Sequence, residues 1–334
     1  MKSFKGYFRP VIGLAVSAAL LVVLLRAVDL NALGESLGMF DVRMVPLAIG
    51  LYFCGVWLRS LRWGLLLPHR PSAAELFRVS VIGFAVNNLV PVRVGDVARA
   101  VLLSRWCNVA YGTTAASLVV ERIFDGLTLA ALLLAVVLVI PAPGYLLGLA
   151  LIATTGFGGC AALAAVAAVR PDALLRASDV ISRRLPERVG SRIARLSGSF
   201  AYGLTPLRSW SVWPALLVLS TFAWLGQFGL FYVLMLTFPV PASPGLAMLA
   251  GAVANFATLV PSSPASVGTF DVILAKVLVD SSSASLDAAA AYALVVHTVL
   301  FLPVIVLAVL MLWRTDVAPS QLFAMGKVSS TRGI

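Results

Sequence analysis

The sequence predicts an all-α polytopic membrane protein with six full transmembrane helices and two re-entrant helical hairpins arranged as an inverted repeat. Sixty per cent of the 334 residues are hydrophobic and 12% are charged, which is about half the roughly 25% charge of soluble domains. Long apolar runs recur along the chain, and two further apolar stretches are broken by Pro, Gly and charge at similar sequences. A bilayer can solvate this much apolar surface, whereas a soluble core cannot bury it.

Six apolar runs of about 19–26 residues are each long enough to cross a hydrocarbon core of roughly 30 Å as a helix. They lie near residues 10–28, 45–67, 117–140, 146–169, 213–238 and 288–313. A cleaved signal peptide is the alternative for the first run, because basic residues precede it. Its length and the lack of an Ala-X-Ala-like cleavage site favour a retained span.

The distribution of Lys and Arg between the loops predicts the orientation. Segment 170–212 carries eight arginines against three acids, whereas the connections 141–145 and 239–245 carry no charge. Basic residues also precede the first run and follow the last. We therefore expect one transmembrane domain over residues 1–316, a cytoplasmic tail over 317–334, and both termini in the cytoplasm.

Two apolar stretches, 76–106 and 246–278, are broken in the middle. A single crossing at 76–106 would place the arginine-rich segment outside, so each stretch is predicted to enter and leave on the same side. The first hairpin then dips in from the cytoplasm and the second from outside. Backbone groups freed at a break cost several kcal/mol each in lipid, so the tips are expected to be buried or to line a wet cavity.

The segment 170–212 has apolar residues at spacings of three, four or seven, with arginines between them and a break at Pro186. This pattern is typical of an amphipathic helix. We expect it to lie along the anionic cytoplasmic leaflet with lipid headgroups as partners; a solvated basic loop is the alternative. Because the net charge of +11 comes from short segments between apolar runs, nucleic acid is not an expected partner.

The tips of the two hairpins have similar sequences. The first reads Leu-Val-Pro at 89–91 and then Val-Gly-Asp; the second reads Leu-Val-Pro at 259–261 and then Val-Gly before Asp271. Such short motifs can coincide by chance, but each hairpin also stands between two full spans. The predicted repeats are residues about 45–140 and about 213–313. The tip residues predicted to be structural are Pro91, Gly95, Pro261, Pro264 and Gly268.

Charged residues at membrane depth are few, and one charge at a helix centre costs roughly 2.5–3.5 kcal/mol, so such residues favour a substrate pathway. Asp96 and Arg99 are three residues apart, as are Arg122 and Asp125, and each pair can share a helical face. For the group at 121–125, a structural ion-pair knot is the alternative. The candidate substrate-binding residues are Asn88, Arg93, Asp96, Arg99, Glu121, Arg122, Asp125 and Asp271.

Three other polar residues receive structural interpretations. Arg59 and Arg62 end the second span beside two tryptophans, which is typical of anchors that snorkel to the interface. His297, alone in an apolar span, is typical of a hydrogen-bonded core residue, with a proton carrier as the alternative. Since the two histidines and three cysteines are scattered, we expect no metal site and no cofactor. No nucleophile–base pair is visible, so we expect no enzyme.

These motifs resemble the flippase-like transmembrane domain of lysylphosphatidylglycerol synthases, which also occurs as stand-alone membrane proteins. The resemblance covers nearly the whole chain and implies a multi-pass protein of the bacterial or archaeal cell (inner) membrane. In the third motif Ala265-Ser266 follows Pro264 where the family has Gly-Gly, and Asp271 replaces a Glu. The positions that match the family motifs are Asn88, Pro91, Arg93, Gly95, Asp96, Arg99, then Glu121, Arg122, Asp125, and then Pro261, Pro264, Gly268, Asp271.

The resemblance implies a lipid flippase that moves the headgroup of an anionic phospholipid or a polyprenyl-phosphate-linked intermediate. Arg93, Arg99 and Arg122 are expected to hold the phosphate. Asn88 is expected to meet headgroup hydroxyls, and the four acids to orient the arginines or accept a sugar or cationic headgroup. The alternatives are an ion-coupled carrier of a small soluble solute and a non-transporting scaffold. A glycosyltransferase or lipid-modifying enzyme is the protein partner that such a scaffold would have.

Overall fold

The structure is a computed structural model that describes residues 29–90, 94–258 and 264–313. The predicted first span at 10–28, the tail at 317–334 and both termini lie outside the described residues. So do three predicted site residues, Pro91, Arg93 and Pro261.

The described residues form twelve α-helices and no β-strand. The helices are α1 (Leu30–Gly38), α2 (Val45–Leu65), α3 (Ala73–Leu89), α4 (Gly95–Cys107), α5 (Tyr111–Val137), α6 (Gly144–Val169), α7 (Pro171–Ser182), α8 (Glu187–Gly203), α9 (Val212–Met235), α10 (Pro244–Ala257), α11 (Thr269–Ser281) and α12 (Leu286–Trp313). Short 3-10 turns lie at Val42–Met44, Thr205–Arg208 and Pro264–Ser266.

Four described helices are long and apolar enough to cross a membrane: Val42–Leu65, Gly144–Val169, Val212–Met235 and Leu286–Trp313. They coincide with four of the six predicted spans. Helix α5, which covers the predicted span at 117–140, has 27 residues and is not one of these four. It is long enough to cross, but it carries Glu121, Arg122 and Asp125 within one turn.

Both broken stretches are helix–break–helix units. In the first, α3 ends at Leu89 and α4 begins at Gly95, whose backbone N–H donates to the Asn87 side chain (2.7 Å). In the second, α10 ends at Ala257, and the chain before α11 has left-handed backbone at Ala265 (φ 56°), Ser266 (φ 60°) and Gly268 (φ 84°). In the first break, the Asn87 side chain therefore satisfies one of the N–H groups that the start of a helix leaves without an intrahelical partner.

The helices pack in a reciprocal pattern around an apolar core. Helix α2 lies along α9, the most extensive of the helix contacts. The first helix of each broken stretch packs against a helix beyond the other break, α3 against α12 and α10 against α5. The turn Pro264–Ser266 also contacts α3. The second break therefore lies beside the helix that leads into the first.

The arginine-rich segment folds as two helices, α7 and α8, with Pro186 as the residue that precedes α8. Helix α8 packs closely on the start of α5. A methyl group added at Gly203 would approach the Thr113 backbone oxygen to 2.8 Å, and the Thr113 hydroxyl donates to the Ser199 carbonyl (3.2 Å). The segment is therefore fixed to the helix that carries Glu121, Arg122 and Asp125.

Gly95 allows the two arms of the first break to approach each other. A methyl group there would overlap the Gly83 carbonyl oxygen on α3 and lie 2.6 Å from the Asn87 side chain. Gly95→Ala is expected to lower the free energy of unfolding by about 1–3 kcal/mol, the usual cost of overpacking. Thermal unfolding in detergent measures the loss. Gly148→Ala on α6 is the control, because nothing lies within 4 Å of a methyl group there; an equal loss in both variants would contradict this account.

Candidate functional site

Charged side chains from three helices meet inside the bundle. Helix α2 contributes two arginines, the first two turns of α4 contribute an aspartate and an arginine, and α5 contributes two acids and an arginine. We call this group the arginine cluster. Its members are Arg59, Arg62, Asp96, Arg99, Glu121, Arg122 and Asp125.

The most buried ion pair in the cluster joins Arg99 of α4 to Glu121 of α5. The two terminal nitrogens of the guanidinium donate to the two carboxylate oxygens at 2.9 and 2.8 Å, and both side chains are 1% exposed. The guanidinium carbon also lies 4.1 Å from the centre of the Trp63 ring. A bidentate, stacked arginine of this kind is held rigidly. It connects the start of α4 to the middle of α5.

The pair between Arg122 and Asp96 is the accessible part of the cluster. An Arg122 terminal nitrogen donates to Asp96 Oδ1 at 2.7 Å, and the two side chains are 38% and 28% exposed. Asp96 lies in the first turn of α4, where the helix dipole favours a carboxylate. Arg122 therefore lies at the edge of the cluster, where an anion that is not part of the protein can reach it.

The third pair joins α2 to α5. Arg62 is fully buried and one of its terminal nitrogens donates to both Asp125 Oδ1 (2.7 Å) and Ser220 Oγ on α9 (2.8 Å). Burial of Arg62 contradicts its interpretation as an interfacial anchor. The reason is that the last turns of α2 pack between α9 and α5 in the interior, rather than ending in the headgroup region.

Arg59 is also buried, so its anchor interpretation is wrong for the same reason. It donates to Gln227 Oε1 at 2.7 Å and its guanidinium lies 4.5 Å from the centre of the Trp224 ring. Gln227 in turn donates to Asn255 Oδ1 on α10 at 3.1 Å. This chain of neutral partners extends from the cluster to the helix that leads into the second break.

The cluster has more hydrogen-bond donors and more positive charge than its own acids balance. Its four arginines face three carboxylates, an excess of one positive charge among the described residues. Several buried donors have no acceptor within the described parts of the chain: Arg62 Nε and one terminal nitrogen, Arg99 Nε, Arg122 Nε and Trp224 Nε1. Guanidinium and indole groups only donate, so the chemistry that fits them is an acceptor-rich anion such as a phosphate.

Asp271 lies in a different environment from the other predicted acids. One of its oxygens is 2.8 Å from His297 Nδ1, and the other accepts the Gly268 N–H at 2.9 Å. Within the described residues it pairs with His297 rather than with an arginine. Asn88 is half-buried near the end of α3.

The predicted residues that the structure brings together are Asp96, Arg99, Glu121, Arg122 and Asp125, and their main partners are on other helices. The predicted contacts along one helix are long, at 3.7 Å for Asp96–Arg99 and 3.9 Å for Arg122–Asp125. The sequence did not indicate that Arg59, Arg62, Gln227 and Asn255 belong to this polar network. The i, i+3 spacing of the two arginines within a predicted span is the sequence feature that could have indicated their role, because it places both on one face of α2.

These features define a multi-pass helical membrane protein with a buried, cation-rich polar cluster beside a helix break. The chain belongs to the family described as the lysylphosphatidylglycerol synthase TM region, which matches residues 11–308. This confirms the resemblance inferred from the motifs.

One curated relative is the protein named Glycosyltransferase AglD from Haloferax volcanii. It is 26% identical over 332 residues, in an alignment that covers 86% of this chain and 51% of the relative. The chain therefore spans about half the length of the relative that it matches.

Proposed function

We propose that the protein moves the phosphate-bearing headgroup of an anionic phospholipid or a polyprenyl-phosphate-linked intermediate across the cell membrane. The observation that carries this proposal is the excess of buried arginine donors in the arginine cluster, next to the break between α3 and α4. A phosphate group supplies the acceptors and the negative charge that the cluster lacks. The family description, a lysylphosphatidylglycerol synthase TM region, names a lipid and so supports a lipid substrate.

The packing supports an inverted repeat with re-entrant hairpins as the framework of transport. If residues about 45–140 and about 213–313 are related by a two-fold axis, equivalent helices should make reciprocal contacts. Helix α3 packs on α12 and its equivalent α10 packs on α5, while the first helices of the two units, α2 and α9, pack on each other. Inverted units with broken helices at matching positions are typical of secondary transporters, whose sites lie at the repeat interface.

Arg122 is the residue that the headgroup meets first. Asp96, the partner of Arg122, is only partly buried. A phosphate can therefore replace Asp96 on the Arg122 guanidinium, and the Asp96 carboxylate is then hydrated by water. The Arg99–Glu121 pair is buried and bidentate, and it holds α4 and α5 in place. Arg62 and Arg59 supply further positive charge in the buried part of the cluster. In this mechanism the acyl or prenyl tails remain in the bilayer while the headgroup passes through the protein.

We place the α7–α8 segment on the anionic cytoplasmic leaflet, with both termini on the same side. The arginines of this segment then contact lipid headgroups. Because the segment packs on α5, which carries part of the arginine cluster, the cluster lies close to the cytoplasmic leaflet.

Reconstitution tests the proposed function. Purified protein in vesicles of phosphatidylethanolamine and phosphatidylglycerol is expected to exchange fluorescently labelled phosphatidylglycerol between leaflets, measured by chemical quenching of the outer leaflet. Protein-free vesicles and vesicles with heat-denatured protein are the controls. Uptake of radiolabelled glycerol 3-phosphate, a free headgroup without tails, should stay at the control level. Exchange of the lipid no faster than in protein-free vesicles would refute the proposal, and uptake of the free headgroup would favour a soluble-solute carrier.

The name of the curated relative favours a second function, in partnership with a glycosyltransferase. This chain matches about half of a protein named as a glycosyltransferase. By analogy, this chain and a separate glycosyltransferase would act together on one lipid-linked substrate. Co-purification of a glycosyltransferase with the tagged chain, together with no lipid exchange in purified vesicles, would favour this scaffold function.

A further inference from the structure

The second break carries a buried acid–base pair that the arginine cluster does not use. Asp271 in the first turn of α11 and His297 in the middle of α12 are 1% and 11% exposed, and their Oδ1 and Nδ1 atoms are 2.8 Å apart. The His297 ring lies against Phe270 and Phe301, with ring centres 5.2 and 4.4 Å away. The His297 ring therefore packs against two aromatic rings, on a helix that is long enough to span the membrane.

The charge of this pair depends on a single proton. With one proton the pair is neutral overall, either as carboxylate and imidazolium or as carboxylic acid and imidazole. Without it, an aspartate stands beside a neutral imidazole and one negative charge is left in an apolar site. A buried charge without a partner is costly, so release of the proton requires water to reach the pair.

Several ionisable groups on α12 and on the helices that pack against it have partners of their own. Lys276 and Asp280 of α11 pair with each other, and Tyr292 of α12 donates to the Phe231 carbonyl. On α2, Arg59 and Arg62 bond to Gln227 and Asp125. The remaining ionisable side chains on these helices are Glu35 of α1, Tyr52 and Cys54 of α2, Glu75 and Arg78 of α3, Tyr232 of α9 and Asp287 of α12. Among the described residues, the ion pair of His297 is with Asp271.

Asp271 also contacts the irregular backbone that precedes α11. The second oxygen of Asp271 accepts the Gly268 N–H, two residues after the left-handed residues Ala265 and Ser266. Left-handed backbone is strained for residues with a side chain, and such strain is concentrated at switch regions. Asp271 thus fixes the start of α11 with one oxygen and ties it to α12 with the other.

We propose that Asp271 and His297 form a proton-binding site that couples headgroup movement to the proton gradient across the membrane. The pair takes one proton from water on one side of the membrane, is neutral while it is buried, and returns the proton to water on the other side once water reaches it there. No other bond is made or broken. This inference rests on the proposed function and adds its source of energy.

A pH gradient across reconstituted vesicles tests the site. One proton per monoanionic lipid is electroneutral, so a gradient of one pH unit should shift the steady-state ratio of labelled phosphatidylglycerol between the leaflets about tenfold in the wild type. His297→Gln keeps a hydrogen-bonding side chain at this position and should abolish the effect of the gradient. Asp271→Asn, which can still accept the Gly268 N–H, should do the same.

Lys276→Gln is the matched control, because it removes a charge from an exposed pair on the same helix; it should respond to the gradient like the wild type. Monodisperse elution and an unfolding temperature close to the wild type check that each variant is folded. If the wild type exchanges lipid but ignores the gradient, or if His297→Gln and Asp271→Asn still respond to it, the proton site is refuted and the proposed function stands. If the wild type exchanges no lipid under any condition, both are refuted.

Discussion

Replacing Arg122 with glutamine is expected to slow the exchange of labelled phosphatidylglycerol by about 10- to 100-fold. This factor corresponds to the loss of one charge-assisted hydrogen bond of about 1.5–3 kcal/mol. Arg122 is the accessible arginine of the cluster, and it contacts Asp96 at 2.7 Å. Because both side chains are partly exposed, water can hydrate Asp96 once the guanidinium is gone. The substitution should therefore reduce transport much more than it reduces stability.

Arg43→Gln is the matched control for Arg122. It makes the same chemical change at an exposed arginine in the short turn before α2, so exchange should remain at the wild-type rate. Asp96→Asn should also slow exchange, because the carboxylate no longer orients Arg122. Wild-type exchange in both Arg122→Gln and Asp96→Asn would show that this part of the cluster does not meet the headgroup.

Replacing Glu121 with glutamine should have the largest effect on stability, lowering the free energy of unfolding by about 3–5 kcal/mol. The reason is that Arg99, 1% exposed, would keep its charge without the carboxylate that now accepts from both of its terminal nitrogens. The nearest other acid, Asp96, is 3.7 Å away and partly exposed. Unfolding in detergent, followed by temperature or denaturant, measures the loss.

Two further variants separate buried charge from general disruption. The double variant Arg99→Met with Glu121→Leu removes both charges and should recover most of the stability lost in Glu121→Gln. Lys276→Gln breaks an exposed pair, which should change stability by only about 0–1 kcal/mol. If the double variant is less stable than Glu121→Gln, the loss comes from packing and not from an unpaired charge.

The features that sequence predicted well are those encoded locally. The predicted spans at 146–169 and 213–238 coincide with α6 and α9 to within a few residues, because a long apolar run has no other stable environment. The first break was predicted from Pro, Gly and charge within an apolar stretch, and α3 and α4 flank it.

The partners of the charged residues could not be predicted in the same way. Spacing pointed to contacts along one helix, whereas the short contacts of Arg99 and Arg122 are to Glu121 and Asp96 on the neighbouring helix. A long guanidinium side chain reaches across a helix interface, and nothing in a single sequence states which interface forms. The apolar pattern of α2 likewise did not reveal that its arginine-bearing end packs inside the bundle.

Native mass spectrometry of the protein purified in mild detergent tests most directly whether the arginine cluster holds a phosphate-bearing headgroup. The wild type is expected to retain a phosphate-bearing lipid, and Arg122→Gln should retain about tenfold less of it, while Arg43→Gln retains as much as the wild type. Equal retention of the same lipid by the wild type and Arg122→Gln, or retention of neutral lipid alone by the wild type, would show that the arginine cluster does not hold the headgroup.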